Sequence, residues 1–490
     1  MLRLFVRRSL SQTGRIRQVG SLNLKKFFHS SPTKMIDPFS GGLGAWKASE
    51  TGEAAGPPAP PVVEAKGSSK GSKEGEPSSS SSGSKKDKQK GEKGQEKVEV
   101  PAAAAASSSS SSAPVASGEP YKPGEVVVGR GRPWPDPVVS ELSLDERYQV
   151  CLSVGCECVT EENLKALLEK KPHPICYDGF EPSGRMHIAQ GVLKAINVNK
   201  LTSAGCVFIF WVADWFALLN NKMGGDIAKI QKVGEYFIEV WKAAGMDMRN
   251  VRFLWASEEI NRDPNGYWMR VMDIATKFNI SRVKRCGAIM GRGEGDDQPS
   301  AQILYPCMQC ADIFFLKADI CQLGLDQRKV NMLAREYCDV SKMKFKPVIL
   351  SHGMMPGLLE GQEKMSKSDP DSAIFMEDSE VDVNRKIKKA YCPPQKIEGN
   401  PCIHYAEALV FPRFGKFEVE RKESDGGNIA FETPEAFKEA FTNGSLHPGD
   451  LKAALTKYIN RLIEPVRKHF KEDPKAKALL DTIKKYKVTK

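Results

Sequence analysis

The sequence predicts an α/β fold: a parallel sheet flanked by helices, then a mainly helical C-terminal domain, all preceded by a disordered extension. Three observations carry this. Short apolar runs alternate with amphipathic stretches from about residue 174 onward; beyond Pro393 the periodicity is almost entirely helical; before Pro133 the composition supports no core.

The extension has two parts. Residues 1–36, opening "MLRLFVRRSLSQTGRIRQVG", hold eight Lys/Arg and no Asp/Glu, without the long apolar stretch of a secretory signal. This is transit-peptide composition, so mitochondrial import is expected, with Met35 as a second start that yields a cytoplasmic form. Residues 37–132 read as a linker. No aromatic residue stands between Trp46 and Tyr121, and "PSSSSSGSKK" and "AAAAASSSSSS" bury too little apolar surface to offset the entropy of ordering.

Charge is distributed unevenly. The 490 residues carry +11, but residues 1–36 supply +8, residues 452–490 another +8, and the body between them is −5. The basic tail is therefore the nucleic-acid candidate, and the total is not evidence of a basic body. No apolar run reaches membrane-spanning length, so no membrane partner is expected. Among twelve cysteines, "CMQC" (307–310) and "CEC" (156–158) lack a second pair at ligand spacing. They are expected to be reduced and mostly buried, with no protein-held metal.

A sheet-containing domain is expected over 133–385 and a helical one over 386–490. "SLDERYQVCLSVG" opens with Ser143 and Glu146 at capping-box spacing, and a second helix starts at Thr160. Apolar strands follow at 174–180, 206–214 and 251–257, separated by helical patterns, the longest being "IAKIQKVGEYFIEVWKAAG". Inserted helices occupy about 265–316, after which "ADICQL" and "KPVILSH" return to strand patterning.

Two stretches carry chemistry. "EPSGRMHIAQG" joins the first apolar strand to a helix, where open α/β sheets bind nucleotides. There Gly184 allows a tight turn, His187 can donate to a phosphate oxygen, and helix-start amides can face an anion. "GQEKMSKSDP" (361–370) gathers Lys364, Ser366, Lys367 and Ser368, whose ammonium groups suit a polyphosphate. Taken singly, the first is an ordinary helix terminus and the second a solvated turn. Their pairing, 177 residues apart on one α/β frame, is what points to two halves of an ATP site.

With these residues in view, the two stretches resemble the HIGH and KMSKS signatures of class I aminoacyl-tRNA synthetases. The region 140–490 resembles the archaeal and eukaryotic-cytosolic branch of tyrosyl-tRNA synthetase, through "GFEPSGRMHIAQG", "ILYPCMQCADI", "GLDQRKVNMLARE", "KAYCPP" and "LHPGDLK". Gln190 and Ala189 depart from the first signature, which leaves His187 as its catalytic histidine. The resemblance implies a Rossmann-like catalytic domain with a C-terminal anticodon-binding domain. It also implies ligation of L-tyrosine to tRNA(Tyr), with ATP as substrate accompanied by Mg²⁺, and a homodimer formed through the inserted helices.

By the same resemblance, Tyr177 and Asp312 bracket the substrate phenol, while Tyr305, Gln309 and Gln327 handle its ammonium. Spacings of four and three put Tyr305, Gln309 and Asp312 on one helix face. Gly184, His187, Lys364, Ser366, Lys367 and Ser368 serve ATP, with His187, Lys364 and Lys367 catalytic. Arg328 and Lys329 approach the tRNA acceptor end; Asp450 and His447 read the anticodon. Asp425, before Gly426, stands where relatives often have a stacking aromatic. No further domain is expected after the basic tail. The rival readings are a tryptophanyl-tRNA synthetase of the same fold and a non-catalytic RNA-binding or scaffold relative.

Overall fold

In the computed structural model the described residues are 119–122, 124–287, 299–365 and 369–486. The expected transit segment, almost all of the linker, and Ser366, Lys367 and Ser368 lie outside them. Among the described residues a seven-stranded sheet is built from β1 (Val127–Val128), β2 (Glu157–Val159), β3 (Ile175–Phe180), β4 (Val207–Val212), β5 (Val251–Trp255), β6 (Ile320–Cys321) and β7 (Val348–Ser351). Their spatial order is β1-β5-β4-β3-β6-β7-β2, and all neighbours are parallel except β2, which runs antiparallel to β7.

The chain steps from β3 outward to β4 and β5, then returns to β6 on the other flank of β3. The order thus reverses between β3 and β6, and a crevice opens at the carboxyl ends of those strands. Both ends of the expected ATP site issue from this edge.

Strand β4 shows why the sheet is buried on both faces. All six residues of "VFIFWV" are buried. Phe208, Phe210 and Val212 face one core with Ile230, Trp241 and Phe253, where Phe210 lies 4.4 Å from the Trp241 ring and 5.1 Å from Phe253. Ile209 and Trp211 face the other, with Tyr177, Tyr267 and Tyr305. Period-2 alternation inside a continuous apolar run is the pattern of a covered parallel strand. The long helix Ile227–Ala243 covers the first face, and Gly234 lets it close on Trp255, whose ring would lie 2.4 Å from a Cβ there.

The first core continues into the C-terminal helices. Helix Pro448–Glu472 contributes Leu451, Leu455, Ile459, Ile463 and Val466, and its Phe470 meets Tyr236 at 5.5 Å. The capping box at Ser143 and Glu146 and the N-cap at Thr160 are both formed.

Three features depart from expectation. Strand β1 pairs with β5 ahead of Pro133, where folded character was expected to begin. At two residues it is too short to show a period. Strands β8 (Phe417–Val419) and β9 (Ile429–Phe431) form a hairpin inside the region read as mainly helical. Its turn uses Gly426 and Gly427 at φ +93° and +70°, which explains the glycine pair, and Asp425 is exposed there. Cys307 and Cys310 are buried thiols in helix Ala301–Phe315, but Cys156 is exposed before the edge strand β2.

Candidate active site

A cleft of about 360 Å³ opens at the carboxyl edge between β3 and β6. Its walls bring together Tyr177, His187, Tyr305, Gln309, Asp312, Gln327 and Lys364, seven residues drawn from five separate stretches of sequence.

The closed end is aromatic with one carboxyl. Tyr177 on β3 and Asp312 on helix Ala301–Phe315 are each 1% exposed. The Tyr267 hydroxyl donates to Asp312 Oδ1 at 2.8 Å, while Asp312 Oδ2 has no hydrogen-bond partner among the described residues. Burial pushes the Asp312 carboxyl well above the usual carboxylate range, against a downward pull from Tyr267. An unpaired buried acceptor is uncommon in folded proteins. A ligand donor fits it.

Two turns back on the same helix, Tyr305 donates to Glu181 Oε1 at 2.6 Å. Asn220 Nδ2 also donates to that carboxylate at 3.0 and 3.1 Å, and the Lys222 ammonium is 3.9 Å away. Gln309 donates to Gln327 Oε1 at 3.1 Å, from the turn Leu325–Gln327 that follows β6. This part of the cleft is anionic and amide-rich, suited to an ammonium.

Below it runs a buried polar chain. Lys194 is paired with Asp178 and donates to Gln322 Oε1 at 2.8 Å. The Gln322 amide nitrogen therefore faces His352 Nδ1, also at 2.8 Å, which places the imidazole proton on Nε2. Burial lifts the Asp178 carboxyl to about 6 against the opposing pull of Lys194, and lowers the Lys194 ammonium. Burial, helped by Lys194, holds His352 well below its ordinary pKa and so neutral.

At the open end Gly184 has φ +122°, a conformation that favours glycine, ahead of His187. The His187 Nδ1 accepts from the Gln190 amide at 3.4 Å. The helix begins with the π turn Ala189–Leu193, and its first amides are committed. Ile188 N–H donates to Ile374 O, and Gln190 and Gly191 N–H to His187 O. The expectation that those amides face an anion is therefore corrected for three of them: backbone pairing with 373–376 consumes Ile188, and the tight turn consumes Gln190 and Gly191. Lys364 lines the cleft with an exposed side chain.

Arg185 joins the two open-end segments. Its guanidinium pairs with Glu377, reaches Asp378 Oδ1 at 3.0 Å, and lies 4.3 Å over the Phe375 ring. Tyr236 donates to Glu377 Oε2 at 2.8 Å, and the buried Lys386 to Asp378 Oδ2 at 2.6 Å. Segment 373–378 is thereby locked against 186–188, a few residues after the lysine loop.

The remaining expected residues sit elsewhere. The exposed Arg328 pairs with Glu157 at 2.7 Å, and Lys329 follows it on the surface. His447 is the N-cap of helix Pro448–Glu472, its Nδ1 accepting from Gly449 N–H at 3.0 Å, so capping accounts for part of its presence. Asp450 lies in that helix's first turn, beside a groove of about 830 Å³ lined by Lys388, Lys452, Lys457 and Arg461.

Glu181, Tyr267, Trp211 and His352 line or brace the cleft without having been singled out from sequence. Glu181 sits inside the quoted "GFEPSG", where its charge was a signal available to use. Trp211 reads only as part of an apolar strand, and Tyr267 only as helix core.

Residues 169–464 match the family model described as tRNA synthetases class I (W and Y). The chain belongs to that family. Within it the similarity is to tyrosine–tRNA ligases. The cytoplasmic tyrosine–tRNA ligase 1 of Arabidopsis thaliana is 63% identical over 347 residues, 71% of this chain and 90% of the relative. A solved tyrosyl-tRNA synthetase from Leishmania major, in complex with tyrosinol, superposes with TM-score 0.68 at 53% identity, covering 71% of this chain and 53% of that longer one. The Pyrococcus horikoshii enzyme, complexed with L-tyrosine, gives TM-score 0.65 at 33% identity, covering 70% of this chain and all of that one (100%).

Proposed function

We propose that the chain is a tyrosine–tRNA ligase: it activates L-tyrosine with ATP and passes it to tRNA(Tyr). The observation that carries the reading is the unpartnered Asp312 Oδ2 at the closed end of a cleft whose open end holds His187 and Lys364. A phenol hydroxyl donates to that oxygen. Phenylalanine offers no donor, and tryptophan brings a wider ring against Tyr177 and Trp211. The tyrosine-type relatives support the same choice over the tryptophan alternative.

In this reading the substrate ammonium lies among Glu181, Tyr305, Gln309 and Gln327. The tyrosine carboxylate attacks the α-phosphorus of ATP; a P–O bond forms there, the bond to the bridging oxygen breaks, and pyrophosphate leaves. The substrate carries the nucleophile, so the protein supplies orientation and charge. His187, its Nδ1 accepting, donates from Nε2 to phosphate oxygen, and Lys364 meets the growing charge on pyrophosphate. Lys367, Ser366 and Ser368 extend the same clamp, Gly184 gives the nucleotide room, and Mg²⁺ arrives with ATP as part of the substrate. A ribose hydroxyl at the tRNA 3′ end then attacks the tyrosyl carbonyl and AMP departs.

For tRNA, Asp450 accepts from an anticodon base edge with His447 beside it, and the lysines of the adjoining groove neutralise phosphates. Arg328 and Lys329 serve the acceptor end. A homodimer is supported by Met269 and Met272, exposed three residues apart on helix Pro264–Lys277, with Ile280 close behind. Amino-acid-dependent ATP–pyrophosphate exchange tests the reading. Tyrosine should drive exchange and phenylalanine and tryptophan should not; exchange driven by tryptophan alone would transfer the chain to the other branch.

A further inference from the structure

Among the described residues eleven buried polar side-chain atoms have no hydrogen-bond partner, and three of them belong to residues of the cleft wall: Asp312 Oδ2, Trp211 Nε1 and Gln190 Oε1. Gln190 belongs to the segment after His187. The other two belong together. Trp211 is 1% exposed on β4, paired in register with Gly179 of β3. Its ring meets Phe315 edge-on at 6.4 Å, one turn from Asp312 on the same helix. The indole N–H and the Tyr177 hydroxyl both lie close enough to the Asp312 carboxyl to pull its pKa downward, yet the indole N–H completes no hydrogen bond among the described residues.

Most of the other unpartnered atoms belong to residues outside the cleft; a donor and an acceptor left bare on one ligand wall are positions that ligand atoms can complete. Their characters are complementary. The indole N–H only donates and the free carboxyl oxygen of Asp312 can accept, and a hydroxyl satisfies both at once. Gly179 borders the same space: a Cβ there would lie in ordinary contact with the Tyr177 hydroxyl at 3.4 Å and the Trp211 ring at 3.9 Å.

We infer that Trp211 is a specificity-determining residue for the substrate hydroxyl: its indole N–H donates to the phenol oxygen while the phenol O–H donates to Asp312 Oδ2. This rests on the tyrosine reading above and adds the Trp211 indole to the Tyr177 and Asp312 pair around the phenol. Phenylalanine then leaves the indole N–H unpaired as well as Asp312 Oδ2.

The test is pyrophosphate exchange by the full chain with tyrosine and with phenylalanine, comparing wild type with Trp211→Phe. A second variant carries a benzothienylalanine at 211, which keeps the bicyclic shape and removes only the N–H, and it decides the matter if Trp211→Phe fails to fold. The expected result is a roughly fivefold fall in kcat/KM for tyrosine, the scale of one neutral hydrogen bond, with phenylalanine changed less than about twofold. Equal losses for both amino acids, or no loss for either, overturn the inference, because a packing role does not distinguish them. A wild type that does not prefer tyrosine overturns the tyrosine reading itself, and this inference with it.

Discussion

Replacing Asp312 by alanine removes the acceptor on which tyrosine selection depends. The side chain is 1% exposed and already holds one donor, Tyr267, at 2.8 Å on Oδ1, so Oδ2 is the atom left for the substrate. Binding tyrosine gives the buried carboxylate its second donor; binding phenylalanine leaves that oxygen desolvated and bare. A hydrogen bond contributes about 0.5–1.5 kcal/mol and stranding a buried acceptor costs about 1–3 kcal/mol, so the tyrosine/phenylalanine ratio should fall by ~2–4 kcal/mol, or roughly 30- to 1000-fold. Most of the change should be lost tyrosine kcat/KM, with phenylalanine improving slightly as the unpaired acceptor disappears. Because alanine also strands the Tyr267 hydroxyl, Asp312→Asn is the companion: it can still accept from Tyr267 but presents an amide at the phenol position. Initial rates of pyrophosphate exchange against each amino acid give both ratios. Unchanged selectivity in both variants would refute the assignment of this pocket.

Three further outcomes are expected. Lys364→Ala should slow tyrosyl-adenylate formation about 10²-fold while leaving the tyrosine dissociation constant near wild type, since the lysine meets charge that accumulates only as pyrophosphate departs; Lys367→Ala should act the same way more weakly, and wild-type single-turnover rates for both would remove the loop from the phosphate clamp. Arg185→Gln should reduce adenylate formation by up to about 10²-fold with tyrosine affinity retained, because segment 373–378 loses the clamp holding it beside His187; a variant that loses tyrosine affinity and rate in equal measure would point to general destabilisation instead. A fluorescent fusion carrying residues 1–36 should enter mitochondria, and one started at Met35 should remain cytoplasmic; identical distributions would end the dual-start proposal.

What could be read in the sequence depended on how far apart the cooperating residues lie along the chain. Strands β3, β4 and β5 and their helices were legible because burial on both faces imposes continuous apolar runs. Tyr305, Gln309 and Asp312 were legible as a set because one helix aligns them. Strand β1 and the hairpin of β8 and β9 were not, being two and three residues long and so too short to show an alternation, and β1 in addition pairs with the distant β5. The same limit applies to the site. The Tyr267 contact with Asp312, the Trp211 orphan and the Arg185 link to Glu377 each join elements that no local periodicity relates, so only the folded arrangement exposes them.

The most direct measurement is a crystal structure of the chain with L-tyrosine bound. The account predicts the phenol oxygen about 2.7 Å from Asp312 Oδ2, within donating distance of the Trp211 indole nitrogen, and the ammonium among Glu181, Gln309 and Gln327. A phenol directed away from Asp312, or a tyrosine lodged outside the cleft between β3 and β6, would contradict it.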